Sequence, residues 1–222
     1  MRNAARSLRE ENVREIHICV CSAPNTALYI RYLLAFFALY PQFSLSLHEY
    51  DAREARKAFR NGDLDMMIDY TGSFEELLGA DDAGDLSVLL LQEEELFYAG
   101  TGQSGRTHIS LAQALDDRLI VHQNTAAGIM GMIARFGIDL NCVHPIVTTT
   151  SMDVLKAYLL SGTARSLISQ SALSALNLEG RVELIPIDER PTLSLGLLSN
   201  PGKLSGAGRE LLAYMKERCG GE

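Results

Sequence analysis

The chain has 222 residues, of which 47% are hydrophobic, so it is long enough to bury a substantial core and has the composition of a globular protein. Its formal net charge of −8 and pI near 5.2 leave no basic stripe, which makes the chain by itself a poor candidate for binding DNA or RNA. The charged N-terminus lacks the apolar core of a secretory signal, and no uncharged apolar run reaches the roughly 20 residues of a membrane span. We therefore expect a cytoplasmic protein without membrane contact.

The N-terminal residues 3–14 carry acidic and basic side chains at helical spacings. We expect a polar helix there, which connects the first strand to a segment upstream. The cysteines, Cys19, Cys21, Cys142 and Cys219, form no CxxC pair. We interpret them as reduced core thiols, because a redox switch needs an exposed thiol of low pKa.

The strongest pattern in the chain is a strand, a tight loop and a helix over residues 16–40. Alternating apolar residues over 16–20 are followed by a polar break at 22–26 and by an apolar stretch, 27–40, whose single charge is Arg31. Free backbone N–H groups at the start of such a helix can hold an anion. Since its surface is apolar nearly all round, one face should cover a sheet while another lies inside the domain or at a subunit interface.

The next segments continue an alternating α/β plan. Apolar alternation predicts a second strand over residues 43–48, and a helix over 52–60 and a third strand over 64–68 follow. A strand, a helix and a strand in this order predict a parallel unit. Two further apolar runs, 86–91 and 96–99, are predicted as separate strands.

The second half of the chain repeats this plan, with short strands that end in polar residues and lead into helices. The predicted strands are 119–121, 146–148, 167–169, 182–187 and 193–198, and the predicted helices are 111–115, 126–136, 152–160, 171–176 and 206–218. Two α/β lobes of similar plan thus follow one another. Because ligands bind outside the carboxyl ends of strands in open α/β sheets, two facing lobes would form a cleft.

Signatures of catalysis and metal binding are absent from the sequence, which has no HExxH, GxSxG, P-loop or zinc-type Cys/His spacing. The GxGxxG at residues 100–105 follows a strand, but the next helix begins too late for a dinucleotide site, so we interpret it as a turn. His122 is a candidate general base, yet no nucleophile or carboxylate can be assigned to it. We therefore predict no enzyme activity, no cofactor and no metal.

Several motifs, taken in order, resemble the effector-binding domain of LysR-type transcriptional regulators. The run FFALYPQFSLSLHEYDAREARKAFRNGDLDMMI, residues 36–68, has the family's succession of helix, Tyr-Pro, alternating strand, amphipathic helix and Gly-x-Leu-Asp. The resemblance continues through LSLGLLSN and covers about residues 16–218. It implies an α/β fold of the two-lobed type 2 periplasmic-binding-protein-like class, with two crossover strands and a small-molecule inducer held between the lobes.

The resemblance also implies a domain layout and a function. Residues 1–14 would end a linker helix, 15–92 plus 192–222 would form lobe I, and 93–191 would form lobe II. The N-terminal helix-turn-helix of the family is expected to be absent from this chain, so that DNA would be bound only through that missing domain. The chain would sense a small molecule and relay its presence to the helix-turn-helix. A solute-binding protein that serves a transporter, or an enzyme on this fold, are the alternatives.

Ligand contacts are predicted at the strand-end loops that match the family's ligand loops. The candidates in lobe I are Ser22, Ala23, Pro24, Asn25, Ala52, Asp69 and Tyr70, and those in lobe II are His122, Gln123, Asn124, Thr125, Thr149, Thr150, Ser151 and Arg165. Ala52 lacks the hydroxyl common at its position in the family. Arg165 stands where the family is apolar, and it either pairs with a carboxylate effector or reaches the surface or a local acid. Opposed helix N-termini and threonine-rich loops favour a small anion or carboxylate as the effector.

A homodimer is a further implication of the resemblance. In the family, the first helix of lobe I commonly packs antiparallel against a lobe II helix of a second subunit. Here this arrangement would set residues 27–40 against residues 126–136, whose small side chains permit close approach.

Overall fold

The computed structural model of the protein describes residues 15–21, 27–50, 52–74, 86–102 and 105–219. The strands are β1 (Glu15–Val20), β2 (Ser44–Glu49), β3 (Met66–Tyr70), β4 (Ser87–Gly100), β5 (Ile120–His122), β6 (Val147–Thr149), β7 (Ser166–Ser169), β8 (Glu183–Pro186) and β9 (Thr192–Ser199). The helices are α1 (Ala27–Leu39), α2 (Ala52–Asn61), α3 (Leu111–Leu115), α4 (Gln123–Arg135), α5 (Met152–Ser161), α6 (Gln170–Ala175) and α7 (Gly206–Cys219), with short 3-10 turns at Thr71–Phe74 and Leu140–Cys142.

The sheets confirm the mixed α/β class. The main sheet has the order β2-β1-β3-β9-β4-β7, with β8 also paired to β4, and β5 and β6 form a separate parallel pair. Strand β1 is parallel to both β2 and β3, so the predicted strand-helix-strand unit is present. Strand β9 returns antiparallel between β3 and β4.

The prediction of two separate strands over 86–91 and 96–99 was wrong, because a single 14-residue strand, β4, spans both runs. Its first part pairs with β9 and its last part, from Leu96 to Gly100, pairs with β7 and β8. A register shift between Leu90 and Gln92 interrupts the pairing with β9, which then continues to Glu95. Strands β4 and β9 run between two groups of elements. We call the group of β1–β3, α1, α2 and α7 lobe I and the group of β5–β8 and α3–α6 lobe II.

Strand β1 is buried on both faces, which anchors lobe I. One face places Ile16 and Ile18 in the main core, and the other places Cys19 and Cys21 in a second cluster beneath α2. Both thiols are free, with their Sγ atoms 3.7 Å apart, as expected of reduced core cysteines. Asp65 also fastens this lobe, because its carboxylate accepts hydrogen bonds from the backbone N–H of His17 and of Ser205.

One predicted helix start in lobe II needs correction. The predicted polar loop 122–125 does not exist as a loop, since α4 begins at Gln123 and His122 itself is the N-cap. Polar residues are well tolerated in a first helical turn, so they did not reveal the boundary. Helix α5 begins at Met152, as predicted, and the hydroxyl of its N-cap, Ser151, accepts from the backbone N–H of Val154.

Several predictions fall on residues outside the described ranges, including the N-terminal polar helix and the break at 22–26. Within the ranges that are described, no helix has both the length and the apolar character needed to cross a membrane.

Candidate functional site: the cleft between the lobes

The two lobes meet where helix α4 lies against the 3-10 turn that follows β3. Glycines make this contact possible: a Cβ atom placed on Gly72 would lie 3.7 Å from the Cα of Gly128 and 3.9 Å from the Cα of Gly131. A Cβ placed on Gly128 would lie only 2.9 Å from the Cβ of Tyr70. The side chain of Tyr70, from lobe I, thus packs directly on the backbone of a lobe II helix.

A cavity with a volume of about 30 Å³ lies beside this contact. A water molecule needs roughly 10–15 Å³ on this measure, so the cavity has room for about two waters. Its wall consists of Tyr70, Leu96, His122, Thr125, Ile129, Met152, Leu155, Ser166, Leu167, Ile168, Ser169, Ala172 and Leu193. Lobe I, lobe II and both crossing strands contribute to it, and none of these residues is a lysine or an arginine.

His122 is the polar side chain of the wall with the most defined chemistry. It is 9% exposed, and its Nε2 lies 3.0 Å from the carbonyl oxygen of Thr150. A carbonyl oxygen can only accept, so Nε2 carries the proton. Burial lowers the pKa of His122, and the hydrogen bond to Thr150 opposes this in part, so the ring is neutral near pH 7. Its Nδ1 is therefore an acceptor, and it is buried without a hydrogen-bond partner among the described residues.

A buried carboxylate ties the crossing strand β4 to lobe II. Glu94 is 8% exposed and accepts hydrogen bonds from the hydroxyls of Ser169 and Ser171. Ser169 lines the cavity and also caps α6, by accepting from the backbone N–H of Ala172. The cavity wall is thus connected, through Ser169, to the segment that joins the lobes.

Tyr70 brings lobe I to the cavity as a neutral phenol. Its pKa is raised above the usual value mainly by burial, and also by the nearby carboxylates of Glu94 and Asp69. Asp69 is itself buried, and its Oδ1 accepts from the backbone N–H of Tyr70 at 2.7 Å. Asp69 thus helps to organise the end of its own strand, and it is not part of the cavity wall.

Of the predicted site residues, the structure brings Tyr70, His122 and Thr125 together on the cavity wall. Residues 149–151 lie beside the cavity. The hydroxyl of Thr149 accepts a hydrogen bond from the backbone N–H of Ser151, and the backbone carbonyl of Thr150 accepts one from His122. Gln123 is exposed. The remaining predictions, Ser22, Ala23, Pro24 and Asn25 and the side chains of Ala52 and Asn124, lie outside what the structure describes.

Arg165 is not part of the cavity wall, although it immediately precedes β7 (Ser166–Ser169), all of whose residues line the cavity. Its guanidinium donates to the carbonyl oxygens of Thr101 and Gly102 and lies 5.2 Å from the ring centroid of Tyr98. Its Nη1 is 3.9 Å from a carboxylate oxygen of Glu183. Of the two roles expected for Arg165, the structure places it where it contacts a local acid.

The sequence did not reveal most of the cavity wall. Ser166 and Ser169 belong to the short strand β7, and the rule that ligands lie at carboxyl strand ends could have pointed to Ser169. The apolar wall residues, such as Ile129 and Leu155, lie within helices α4 and α5. Their pattern is that of any buried helix face, so no signal distinguishes them.

Two lobes, two crossing strands and an interlobe cavity define a fold of the periplasmic-binding-protein-like type. The sequence matches the family of the LysR substrate binding domain over residues 9–220. The chain therefore belongs to this family, whose members are transcriptional regulators. No curated protein matches it.

Solved structures share the fold at low sequence identity. The CcmR regulatory domain of Synechocystis PCC6803, in complex with 2-PG, is 19% identical, with a TM-score of 0.71 over 93% of this chain and 98% of that chain. A mutant form of the OxyR regulatory domain from Pseudomonas aeruginosa is 15% identical, with a TM-score of 0.71 over 93% of this chain and 98% of that chain. Full-length CbnR in complex with its target DNA is 15% identical, with a TM-score of 0.69 over 98% of this chain and 73% of that chain.

Proposed function

We propose that the chain is the effector-sensing domain of a LysR-type transcriptional regulator. It binds a small molecule in the cleft and relays its presence to the regulator's N-terminal helix-turn-helix. In this proposal residues 1–14 end the linker helix, 15–92 plus 192–222 form lobe I, and 93–191 form lobe II. The observation that carries it is the shared cavity wall, with Tyr70 from lobe I and His122 from lobe II.

Effector binding and lobe position are coupled in this proposal because the cavity is small. With about 30 Å³ available, an effector larger than two waters enters only when the lobes separate. Separation breaks the contact of Tyr70 with Gly128 and bends the crossing strands β4 and β9. A ligand that binds one lobe arrangement better than the other shifts the population between them.

The proposed effector is a small anion or carboxylate. Helix α4 starts at the cavity wall, and its N-cap, His122, makes no side-chain hydrogen bond to the helix. The backbone N–H groups of the first turn therefore have no cap from the His122 side chain, and together with the helix dipole they favour a negative group. Helices α5 and α6, in contrast, are capped by Ser151 and Ser169.

The proposed regulator is a homodimer formed by α1 of one subunit and α4 of the other. Leu34 and Leu39 on α1 are 65% and 61% exposed, which is unusual for two leucines on one helix. Phe136, at the end of α4, is 42% exposed. Pairing these apolar surfaces would remove both from water.

The proposal is tested by a thermal-shift screen of small carboxylates, sugar acids and inorganic anions. A compound present at 100 times its Kd should stabilise the protein by about 2.7 kcal/mol. The variant Ala172→Leu fills the cavity from α6 and should lose this stabilisation. Its control is Ala175→Leu, on the same helix but exposed, which should retain it.

Two results would contradict the proposal: no compound stabilises the protein, or a compound stabilises Ala172→Leu as well as the unchanged chain. A compound that binds in the cleft but leaves the DNA affinity of the full regulator unaltered would contradict the relay. That result would favour a solute-binding role.

A further inference from the structure

We propose that the effector donates a hydrogen bond to Nδ1 of His122, so that it is a small carboxylate that also carries a hydroxyl or amino group. This inference rests on the proposed effector-sensing function and deepens it. A plain carboxylate, whose oxygens only accept hydrogen bonds, does not satisfy this wall of the cavity.

The tautomer of His122 follows from its partner. Thr150 offers a backbone carbonyl at 3.0 Å from Nε2, and a carbonyl oxygen has no proton to give. The ring proton must therefore be on Nε2, which leaves an unprotonated nitrogen at Nδ1. A neutral imidazole with this arrangement has one acceptor to offer to a ligand.

The surroundings of Nδ1 make this acceptor significant. His122 is 9% exposed and lines the cavity, and Nδ1 is buried without a hydrogen-bond partner in the described part of the chain. Leaving a buried acceptor unpaired is unfavourable. A ligand that enters as the lobes separate and donates a hydrogen bond to Nδ1 removes this cost, and a ligand without a donor does not.

The charged groups nearby agree with a donor. None of the described wall residues is a lysine or an arginine, and the carboxylates that raise the pKa of Tyr70 are those of Glu94 and Asp69, both buried. An effector oxygen that faced His122 Nδ1 would meet a lone pair, with no described cation on the wall to offset the repulsion. A hydroxyl or an ammonium group at this point gains a hydrogen bond, and the carboxylate of the same molecule is free to meet the N-terminus of α4.

The test compares compounds with one carbon skeleton: propanoate, 2-hydroxypropanoate and 2-aminopropanoate, and each hit of the screen with its deoxy or deamino analogue. Affinities are measured by calorimetry on the protein and on two variants. His122→Gln keeps an amide donor for the Thr150 carbonyl but removes the acceptor at Nδ1, whereas His122→Asn places a carbonyl oxygen near Nδ1. His108→Gln, on an exposed histidine paired with Asp188, is the control.

The hydroxylated or aminated compound should bind about tenfold more tightly than its plain analogue, which is the effect of one hydrogen bond. This preference should disappear in His122→Gln and persist in His122→Asn and in His108→Gln. The two donor compounds tell a hydroxyl preference from an amino preference. A plain carboxylate that binds as tightly as its hydroxylated analogue overturns the inference and leaves the proposed function intact.

A measurement on the free protein tests the inference without any ligand. Nitrogen-15 NMR at pH 7.5 should show His122 protonated on Nε2 and unprotonated on Nδ1. Protonation on Nδ1 would overturn the inference whichever compound binds. If no compound of any class binds, the proposed function fails and the inference falls with it.

Discussion

The buried imidazole of His122 should make the stability of the domain depend on pH. Its pKa is lowered from 6.5 by burial, so between the folded and unfolded pKa values the unfolded chain binds more protons than the folded one. Stability is therefore present above about pH 6.5 and is lost as the pH falls below that value. The loss amounts to about 1.4 kcal/mol for each unit by which the pKa is lowered.

Urea unfolding at pH 8, 7, 6 and 5.5 checks this prediction. Asp117 does not contribute over this range, because its pKa is lowered, chiefly by the hydrogen bond from Tyr98, and its carboxylate stays ionised in the folded and in the unfolded chain. The comparison with His122→Gln isolates the histidine, because the variant retains every other group. The unchanged protein should lose more stability on acidification than the variant, and equal losses would show that His122 does not titrate as the structure implies.

Individual site residues could be predicted only where a general structural rule applied to their position in the sequence. Tyr70 and His122 are the last residues of their strands and Thr125 follows shortly after, so the rule for α/β sheets predicted them in the cleft, and they line the cavity. Arg165 was chosen as a candidate because of its charge alone, and the sequence does not show which groups its side chain contacts. Ser169 was missed because an N-cap serine has an ordinary structural explanation.

Helix α4 depends on two glycines that differ in their surroundings. A Cβ added to Gly128 would lie 2.9 Å from the Cβ of Tyr70, an atom held by the backbone of β3. At Gly131 the nearest atom to an added Cβ is the Cα of Gly72, at 3.7 Å, which is an ordinary contact. Gly128→Ala should therefore destabilise the protein by about 1–3 kcal/mol, as overpacking does.

The matched change Gly131→Ala should have the opposite sign. It adds no clash, and alanine is favoured over glycine inside a helix by up to about 1 kcal/mol. Equilibrium unfolding of both variants is the measurement. Gly128→Ala should also bind the effector more tightly, because the added Cβ disfavours the contact between α4 and Tyr70 that must break when the lobes separate. If both substitutions stabilise the protein, α4 does not pack on Tyr70 as the structure shows.

Helices and strands with a strong periodic pattern were predictable, and those at the crossing between the lobes were not. Strand β1, helix α1 and strand β2 appear within two residues of the expected bounds. Strand β4 was divided because residues 92–95 are polar, as in a loop, yet they lie on a strand that continues from one lobe to the other. The pattern of apolar residues in a sequence indicates which residues are buried. It does not show that β4 is one strand, because the burial of β4 changes along its length.

The contacts between the lobes offer the proposed function a route from the small cavity to the rest of the molecule. The lobes are joined by β4 and β9 and touch through α4, while Arg135, at the end of α4, donates to the carbonyl of Thr192 at the start of β9. Movement of α4 away from Tyr70 is therefore transmitted to a crossing strand. Since α4 is also a proposed dimer helix, the same movement reaches the second subunit.

Disruption of the proposed dimer is the sharpest test at the level of the assembly. In a two-fold symmetric dimer each subunit would bury its own Leu34 and Leu39. The double substitution Leu34→Glu and Leu39→Glu therefore places four charges in the interface. Burial of one leucine contributes about 1.5–3 kcal/mol, and the pair of substitutions should weaken dimerisation at least about 100-fold. Sedimentation velocity over a range of concentrations measures this.

Leu90→Glu, on a leucine that is 48% exposed but lies on β4, should leave the dimer intact. A protein that is monomeric before any substitution, or a dimer that survives the double substitution, would contradict the proposed interface and with it the route from α4 to the second subunit.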